Sequence, residues 1–160
     1  MSDLIINNLA TNINAIQALQ RVETPAACLT LTRSATLAIT TAGTIITWQA
    51  ETRNNGITWS GTTITIPTSG YYGISSSVTA TANFSTWFVL NVNGVAVSFM
   101  ATDSTAVTHH SAYYQRYFTT GDTVTLSLFP NINTTLSVIA EGVANESPIL
   151  HIVQLTGSQS

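Results

Sequence analysis

The stretch that decides the fold is TTITIPTSGYYGISSSV, residues 62–78. It predicts a strand, a tight turn and a second strand. Thr62, Ile64 and Ile66 sit in a period-2 run of β-branched residues, and Pro67 ends that run because proline has no N–H to donate to a ladder. Ser69-Gly70 is a turn signal. Alternation resumes at once behind the turn, so the chain doubles back as a strand.

The second strand of this pair has two unlike faces. One face is bulky and apolar, as a core requires, and it comprises Tyr72, Ile74 and Val78. The other face carries a tyrosine, a glycine and a small hydroxyl: Tyr71, Gly73 and Ser75. This second face suits close contact with another protein surface better than contact with water.

The composition indicates one domain with few charges. The 160 residues are 44% hydrophobic but only 7% charged, against about 25% in typical globular proteins. Such a surface can bury against copies of itself because few charges need desolvating. The net charge is −3, and the four arginines are scattered, so we expect no nucleic-acid partner.

The single cysteine, the N-terminal segment and the lengths of the apolar stretches further limit the class of protein. Cys28 is alone, which excludes an intrachain disulfide. The segment MSDLIINN has no basic n-region, so no secretory signal is predicted. No stretch approaches the roughly 18 apolar residues of a membrane span, and we expect no membrane partner.

Residues 1–26 differ from the rest of the chain and are predicted to form an N-terminal helical arm. Ile6, Leu9, Ile13 and Ile16 follow the 3–4–3 spacing of an amphipathic helix. Alone the helix is too short to be stable in water. It could associate with copies of itself, pack on another protein, or remain a flexible arm.

From residue 27 onward the pattern is that of many short strands separated by turn signals, which favours a sandwich or jelly roll. Asn93-Gly94 between two apolar runs predicts a two-residue hairpin. Residues 149–155 are apolar on both faces, so we expect a symmetric neighbour to cover the outer one. The predicted organisation is an arm at 1–26, a β-domain at 27–157 and a polar tail at 158–160. The predicted strands are 28–32, 36–40, 44–49, 57–60, 62–66, 71–81, 87–92, 95–100, 113–119, 123–129, 134–139 and 149–155.

Three motifs in order resemble the tumour necrosis factor and complement globular-head superfamily. TITIPTSGYYGISSSV (63–78) resembles its strand–Pro–x–x–Gly–x–Tyr–strand signature. FTTGDTVTLSL (118–128) resembles its Gly-Asp strand entry, and SPILHIVQLTG (147–157) resembles its closing strand. The resemblance covers residues 27–157, and the charge-poor composition looks like that of the jelly rolls of bacteriophage virions.

The resemblance implies an all-β, ten-stranded jelly-roll sandwich that forms a homotrimer through its inner sheet. It implies core positions at Tyr72, Ile74, Val78 and Phe118. It implies a trimer interface at Tyr71, Gly73, Ser75, Tyr113, Tyr117, His151 and Val153.

The residues that could carry chemistry favour a protein that is not an enzyme and has no cofactor. His109 and His110 are neighbours on a strand and point to opposite faces, which makes a poor metal site. Threefold symmetry could gather three copies of His151 as a zinc-like set, although a hydrogen-bonded interface histidine is the better interpretation. Asp103 could bind calcium in a surface loop, with weaker support. No nucleophile elbow, HExxH or phosphate loop is present.

The expected function is structural: a homotrimeric capsid decoration (cement) protein on the outer surface of a bacteriophage virion. It would bind the major capsid protein through apolar anchors on the arm, namely Leu4, Ile5, Ile6, Leu9, Ile13 and Ile16. The alternative is a trimeric fibre or spike tip that binds a host surface glycan. For that reading Trp48, Trp59 and Trp87 could form a sugar platform, although we expect at least two of them to pack in the core or an interface and Trp59 to be the most exposed.

Overall fold

The computed structural model describes residues 26–102, 107–136 and 148–155, which fold as a sandwich of two antiparallel sheets. Thirteen strands lie within these ranges. No helix long and apolar enough to cross a membrane is found in the described part of the chain. The strands are β1 (Cys28–Thr32), β2 (Leu37–Ile39), β3 (Thr44–Ile45), β4 (Ala50–Asn55), β5 (Thr58–Ser60), β6 (Thr63–Thr65), β7 (Gly70–Phe84), β8 (Thr86–Val92), β9 (Val95–Thr102), β10 (Val107–Phe118), β11 (Thr123–Pro130), β12 (Thr134–Leu136) and β13 (Ile149–Gln154).

The first sheet is organised around β7, the second strand of the opening motif. β7 lies between β10 and β13, and the sheet continues from β13 to β1 and then to β4. β12 also pairs with β7, at Ala80, and carries β2 on its far side. The second sheet has the order β5-β6-β11-β8-β9, with β3 paired to the later half of β11.

The core lies between the two sheets and contains one face of β7. Tyr72, Ile74 and Val78 are fully buried, and Phe118 from β10 joins them. The rings of Tyr72 and Phe118 meet edge to face at 5.9 Å between centroids. The Tyr72 hydroxyl donates to the carbonyl oxygen of Thr68 at 2.8 Å, so its polar end is satisfied inside the fold.

The predicted all-β sandwich is confirmed, whereas the ten-strand count is not, because the described residues form thirteen strands. β4 is not among the predicted strands. Its side chains from Glu51 to Asn54 are exposed, since it is the edge strand beside β1. β10 begins at Val107, six positions ahead of the predicted start at Tyr113. The predicted N-terminal helix lies outside the described residues.

The Asn93-Gly94 hairpin between β8 and β9 is confirmed. Both residues have positive φ, 52° and 79°, as the tight turn that matches strand twist requires. The Asn93 amide oxygen accepts from the backbone N–H of Thr123 at 2.9 Å, and its amide nitrogen donates to Asp122 at 2.8 Å. This side chain therefore ties the hairpin to the turn that precedes β11.

Candidate functional site

The outer face of the first sheet carries the predicted interface residues together. Successive residues of a strand alternate between faces, so the residues between the core positions of β7 all point outward. We call this surface the tyrosine face, defined by Tyr71, Gly73, Ser75, Tyr113, Tyr117, His151 and Val153.

Strand register aligns these residues in rows across three strands. Ser75 of β7 lies between Tyr113 of β10 and His151 of β13. One step away, Val153 pairs with Gly73. At the end of β7, Tyr71 pairs with Tyr117. The tyrosine face is therefore one continuous surface rather than a set of isolated side chains.

Two contacts hold the tyrosine rings against the sheet. Tyr71 and Tyr117 meet edge to face at 5.5 Å between ring centroids. The Tyr113 side chain reaches diagonally across Gly73, where a Cβ atom would lie 3.0 Å from the Tyr113 hydroxyl. Gly73 is buried beneath this ring although it points outward. Glycine at position 73 is needed for the Tyr113 ring to approach the backbone closely. The tyrosine rings therefore form an aromatic surface that lies against the sheet.

The tyrosine face is exposed in the single chain and carries no formal charge. Tyr71, Tyr113 and Tyr117 are 51%, 59% and 51% exposed, and Val153 is 41% exposed. Between β10 and β13, no Asp, Glu, Lys or Arg occupies a described outward position. Large aromatic area without charge is characteristic of the centre of protein interfaces.

His151 is the imidazole of this face. Its Nδ1 lies 3.0 Å from the Thr30 hydroxyl of β1, and partial burial lowers its pKa below 6.5. The neutral imidazole is therefore favoured. Within the described residues no group of three His, Cys, Asp or Glu side chains could hold a metal. The hydrogen-bonded interface histidine stays the prediction for His151, with the zinc-like set from three copies as its alternative.

The neighbouring histidines of β10 point to opposite sides, as strand geometry requires. His109 faces outward with its Nδ1 3.0 Å from the Thr79 hydroxyl. His110 is buried, with its Nε2 2.7 Å from the carbonyl oxygen of Phe84 and its ring 4.4 Å from the Phe84 ring. The two imidazoles do not form a joint site.

The three tryptophans lie in different environments, and the expectation that Trp59 is the most exposed was wrong. Trp59 packs against the core, and its Nε1 donates to a Glu51 carboxylate oxygen at 2.7 Å. Trp48 is buried. Trp87 is 52% exposed, because it stands on the outer face of the second sheet. The position of Trp59 between Gly56 and Gly61 suggested exposure, but it does not determine which way the side chain faces.

The two ends of the β-domain lie side by side. β1 and β13 are antiparallel neighbours, with Cys28 opposite Val153. The Gln154 backbone N–H donates to the carbonyl oxygen of Ala27 at 2.7 Å, and the Gln154 side chain accepts from the Ala27 N–H at 3.4 Å. Segments that precede β1 and follow β13 therefore leave at the same end of the sandwich.

Other predicted positions lie outside the described residues. They are the Asp103 loop and the arm anchors Leu4, Ile5, Ile6, Leu9, Ile13 and Ile16. Two residues beside the tyrosine face were missed by sequence reasoning: Thr30, which contacts His151, and Gln115, which lies opposite Gly73. Gln115 follows from the period-2 spacing between Tyr113 and Tyr117, whereas only the pairing of β1 with β13 places Thr30 beside His151.

Comparison with known proteins bears on the fold. No protein-family model matches the sequence, and no curated protein matches it. Crystal structures of murine APRIL at pH 5.0 and pH 8.0 each superpose with a TM-score of 0.58, at 20% and 21% identity, over 81% of this chain and 99% of theirs. A pika GITRL structure has a TM-score of 0.48 at 17% identity, over 84% of this chain and 98% of its own.

These neighbours are tumour necrosis factor-family jelly-roll ligands. The likeness to APRIL confirms the tumour necrosis factor-like fold that the three motifs predicted. The similarity to bacteriophage virion proteins stays a prediction.

Proposed function

We propose that the chain is a non-enzymatic structural protein that assembles as a homotrimer through the tyrosine face. The observation that carries this proposal is the exposed, uncharged surface of Tyr71, Tyr113, Tyr117 and Val153. Soluble monomers seldom leave a contiguous apolar surface of this kind in water. Threefold closure is what the family resemblance implies for the sheet that contains β7.

Substitution on the two outer faces tests the assembly. Tyr71→Asp places a charge where the trimer would bury it, so we expect a folded monomer in sedimentation velocity. Trp87→Asp is the matched control, because it introduces the same charge at an equally exposed aromatic residue of the other sheet. That variant should remain trimeric. A wild-type monomer at micromolar concentration, or a trimer in both variants, would refute the proposal.

For the role of the trimer we propose capsid decoration on the outer surface of a bacteriophage virion. Because the chain enters β1 beside its exit from β13, three copies related by a threefold axis would send three arms from one end. The apolar positions of residues 1–26 would then bind the major capsid protein.

The arm can supply appreciable binding energy. Burying one Leu or Ile side chain contributes about 1.5–3 kcal/mol before ordering costs. Three arms in one assembly act together, since binding of the first raises the effective concentration of the others. The low charge of the chain suits a lasting assembly more than a salt-sensitive one.

A pair of full-length variants tests the arm. Leu9→Asp with Ile13→Asp interrupts the apolar stripe, and we expect the trimer to form but no longer to co-sediment with capsids. Asn8→Asp with Asn14→Asp adds the same charge to the polar side and should leave capsid binding intact. Undiminished decoration by the first variant would contradict the capsid role while leaving the trimer standing.

A further inference from the structure

A groove of about 340 Å³ lies on the outer face of the second sheet. β11 forms its floor through Thr125, Ser127 and Phe129, which alternate outward along the strand. One wall is β3 with the turn that precedes it, including Gly43 and Ile45. Asn91 and Gly94 of the β8–β9 hairpin form the other wall. Volumes of this size are in the range of small-molecule sites.

The floor combines an aromatic ring with uncharged hydrogen-bonding groups. Phe129 is 38% exposed and lies so close to Gly43 that a Cβ there would come within 2.3 Å of its ring. Gly43 has a φ of 96°, which further favours glycine at this position. The Phe129 ring is thus held against the backbone of the turn at one end of the groove.

The polar part of the groove is arranged by one hydrogen bond. The Asn91 amide nitrogen donates to the Ser127 hydroxyl at 3.1 Å, and Thr125 lies directly across from Asn91. Within the described residues, the Asn91 amide oxygen and the Thr125 hydroxyl make no hydrogen bond to protein. The Ser127 hydroxyl still has its own proton to donate. The groove therefore offers both donors and acceptors.

Among the described residues that line the groove there is no Asp, Glu, Lys, Arg or His. Anions and cations would therefore find no counter-charge, and a purely apolar ligand would leave the amide and hydroxyl groups without partners. A pyranose ring meets both demands, because it has an apolar face of C–H groups and a rim of hydroxyls. The C–H face of the sugar can stack on Phe129, and its hydroxyls can form hydrogen bonds with Asn91, Thr125 and Ser127.

From this arrangement we infer that the groove binds a neutral saccharide. Trp87 lies directly across the strand pair from Phe129 and is more than half exposed, so a second sugar unit can extend from the groove onto its ring. This groove is distinct from the sugar platform considered at Trp59. Saccharide binding in the groove does not depend on the proposed trimer, because the tyrosine face belongs to the opposite sheet.

Binding is tested on the wild-type chain with isoleucine methyl groups labelled for NMR. The probes are methyl glycosides of glucose, galactose, mannose and N-acetylglucosamine at millimolar concentrations. At least one should shift the methyl signal of Ile45, which lines the groove. Ile132 is similarly exposed but does not line it, and its signal should stay in place. An Ile45 signal that no neutral glycoside moves would overturn the assignment.

Variants locate the contacts. Ser127→Ala and Phe129→Leu should each weaken the best glycoside about tenfold, the loss expected for one good contact. Ser77→Ala makes the same deletion on the outer face of the first sheet and should bind like wild type. Asn91→Ala serves as a second, partly exposed groove variant if Ser127→Ala does not fold, with the same expected loss. Equal affinity in wild type and all groove variants would place the ligand elsewhere and refute the proposal.

Discussion

Tyr113 lies across Gly73, so that a methyl group on residue 73 would stand 3.0 Å from the Tyr113 hydroxyl and 3.4 Å from its Cε2 atom. These residues belong to neighbouring strands and are diagonal, not direct, partners, since Gly73 pairs with Gln115. Because Gly73 has no side chain, the exposed Tyr113 ring can lie against the sheet.

Gly73→Ala should separate folding from assembly. Tyr113 is exposed enough to swing outward, and alanine restricts the unfolded chain more than glycine, so the free energy of unfolding should change by less than about 1 kcal/mol. The displaced ring should weaken the trimer in a dilution series followed by sedimentation. Ser60→Ala, at an exposed position of β5 in the other sheet, should change neither quantity. An unchanged trimer in Gly73→Ala would show that the position of Tyr113 does not matter for assembly.

His151 predicts a loss of stability on acidification. Burial lowers its pKa in the folded chain below 6.5, so below that pH the unfolded state binds the proton more readily. The stability that neutral His151 contributes is fully present above pH 6.5. This stability decreases as the pH drops below 6.5, and it stops decreasing once the pH is below the pKa of His151 in the folded chain. Urea unfolding at several pH values should therefore show a shallower decline in His151→Gln than in wild type. His109 and His110 remain in both proteins, and parallel pH profiles would contradict the prediction.

Arg33 is a buried cation whose described hydrogen-bond partners are uncharged. Its guanidinium donates to the carbonyl oxygens of Ala35 at 3.1 Å and Thr36 at 3.2 Å, and to the carbonyl and hydroxyl oxygens of Thr47. Burial lowers its pKa. Together these bonds tie the β1–β2 connection to the segment that follows β3.

Arg33→Lys should destabilise the fold by about 1–3 kcal/mol, because a single ammonium cannot reach the acceptors that the planar fork reaches together. The free energy of unfolding in urea measures the effect. Arg53→Lys provides the control, since Arg53 is exposed on the edge strand β4 and should change stability by less than about 0.5 kcal/mol. Equal stability of the two variants would mean that the Arg33 fork contributes nothing beyond its charge.

The alternating pattern of residues 71–78 was enough to predict a strand with a core face, because period-2 alternation is local. β4 could not be found that way. Its residues Glu51 and Arg53 are polar, and the strand exists because it pairs with β1 at the sheet edge. The saccharide groove was equally hidden, since Gly43 and Phe129 meet only once β3 pairs with β11. Register between distant strands depends on the whole fold and leaves no mark in a short window.

Asp122 should stabilise the fold above its own pKa. Its carboxylate accepts from the Thr119 backbone N–H and from the Asn93 amide, both at 2.8 Å. These bonds, the Thr119 bond first, lower its pKa below 3.8. The stabilisation is therefore present above pH 3.8 and is lost as the pH falls through the lowered value.

Asp122→Ala removes both acceptors and should cost about 1 kcal/mol at neutral pH, because the turn before β11 loses its tie to the β8–β9 hairpin. Asp122→Asn keeps an acceptor for Thr119 but can no longer offer two carboxylate oxygens, so it should lie between wild type and Asp122→Ala. Thermal unfolding at neutral pH and at pH below 3.8 measures both effects. Once the pH is below the lowered pKa, the wild-type carboxyl is protonated and wild type should fall toward the stability of Asp122→Asn, which also keeps one neutral acceptor oxygen. A gap between wild type and Asp122→Ala that persists undiminished in acid would show that packing, not the ionised carboxylate, accounts for the difference.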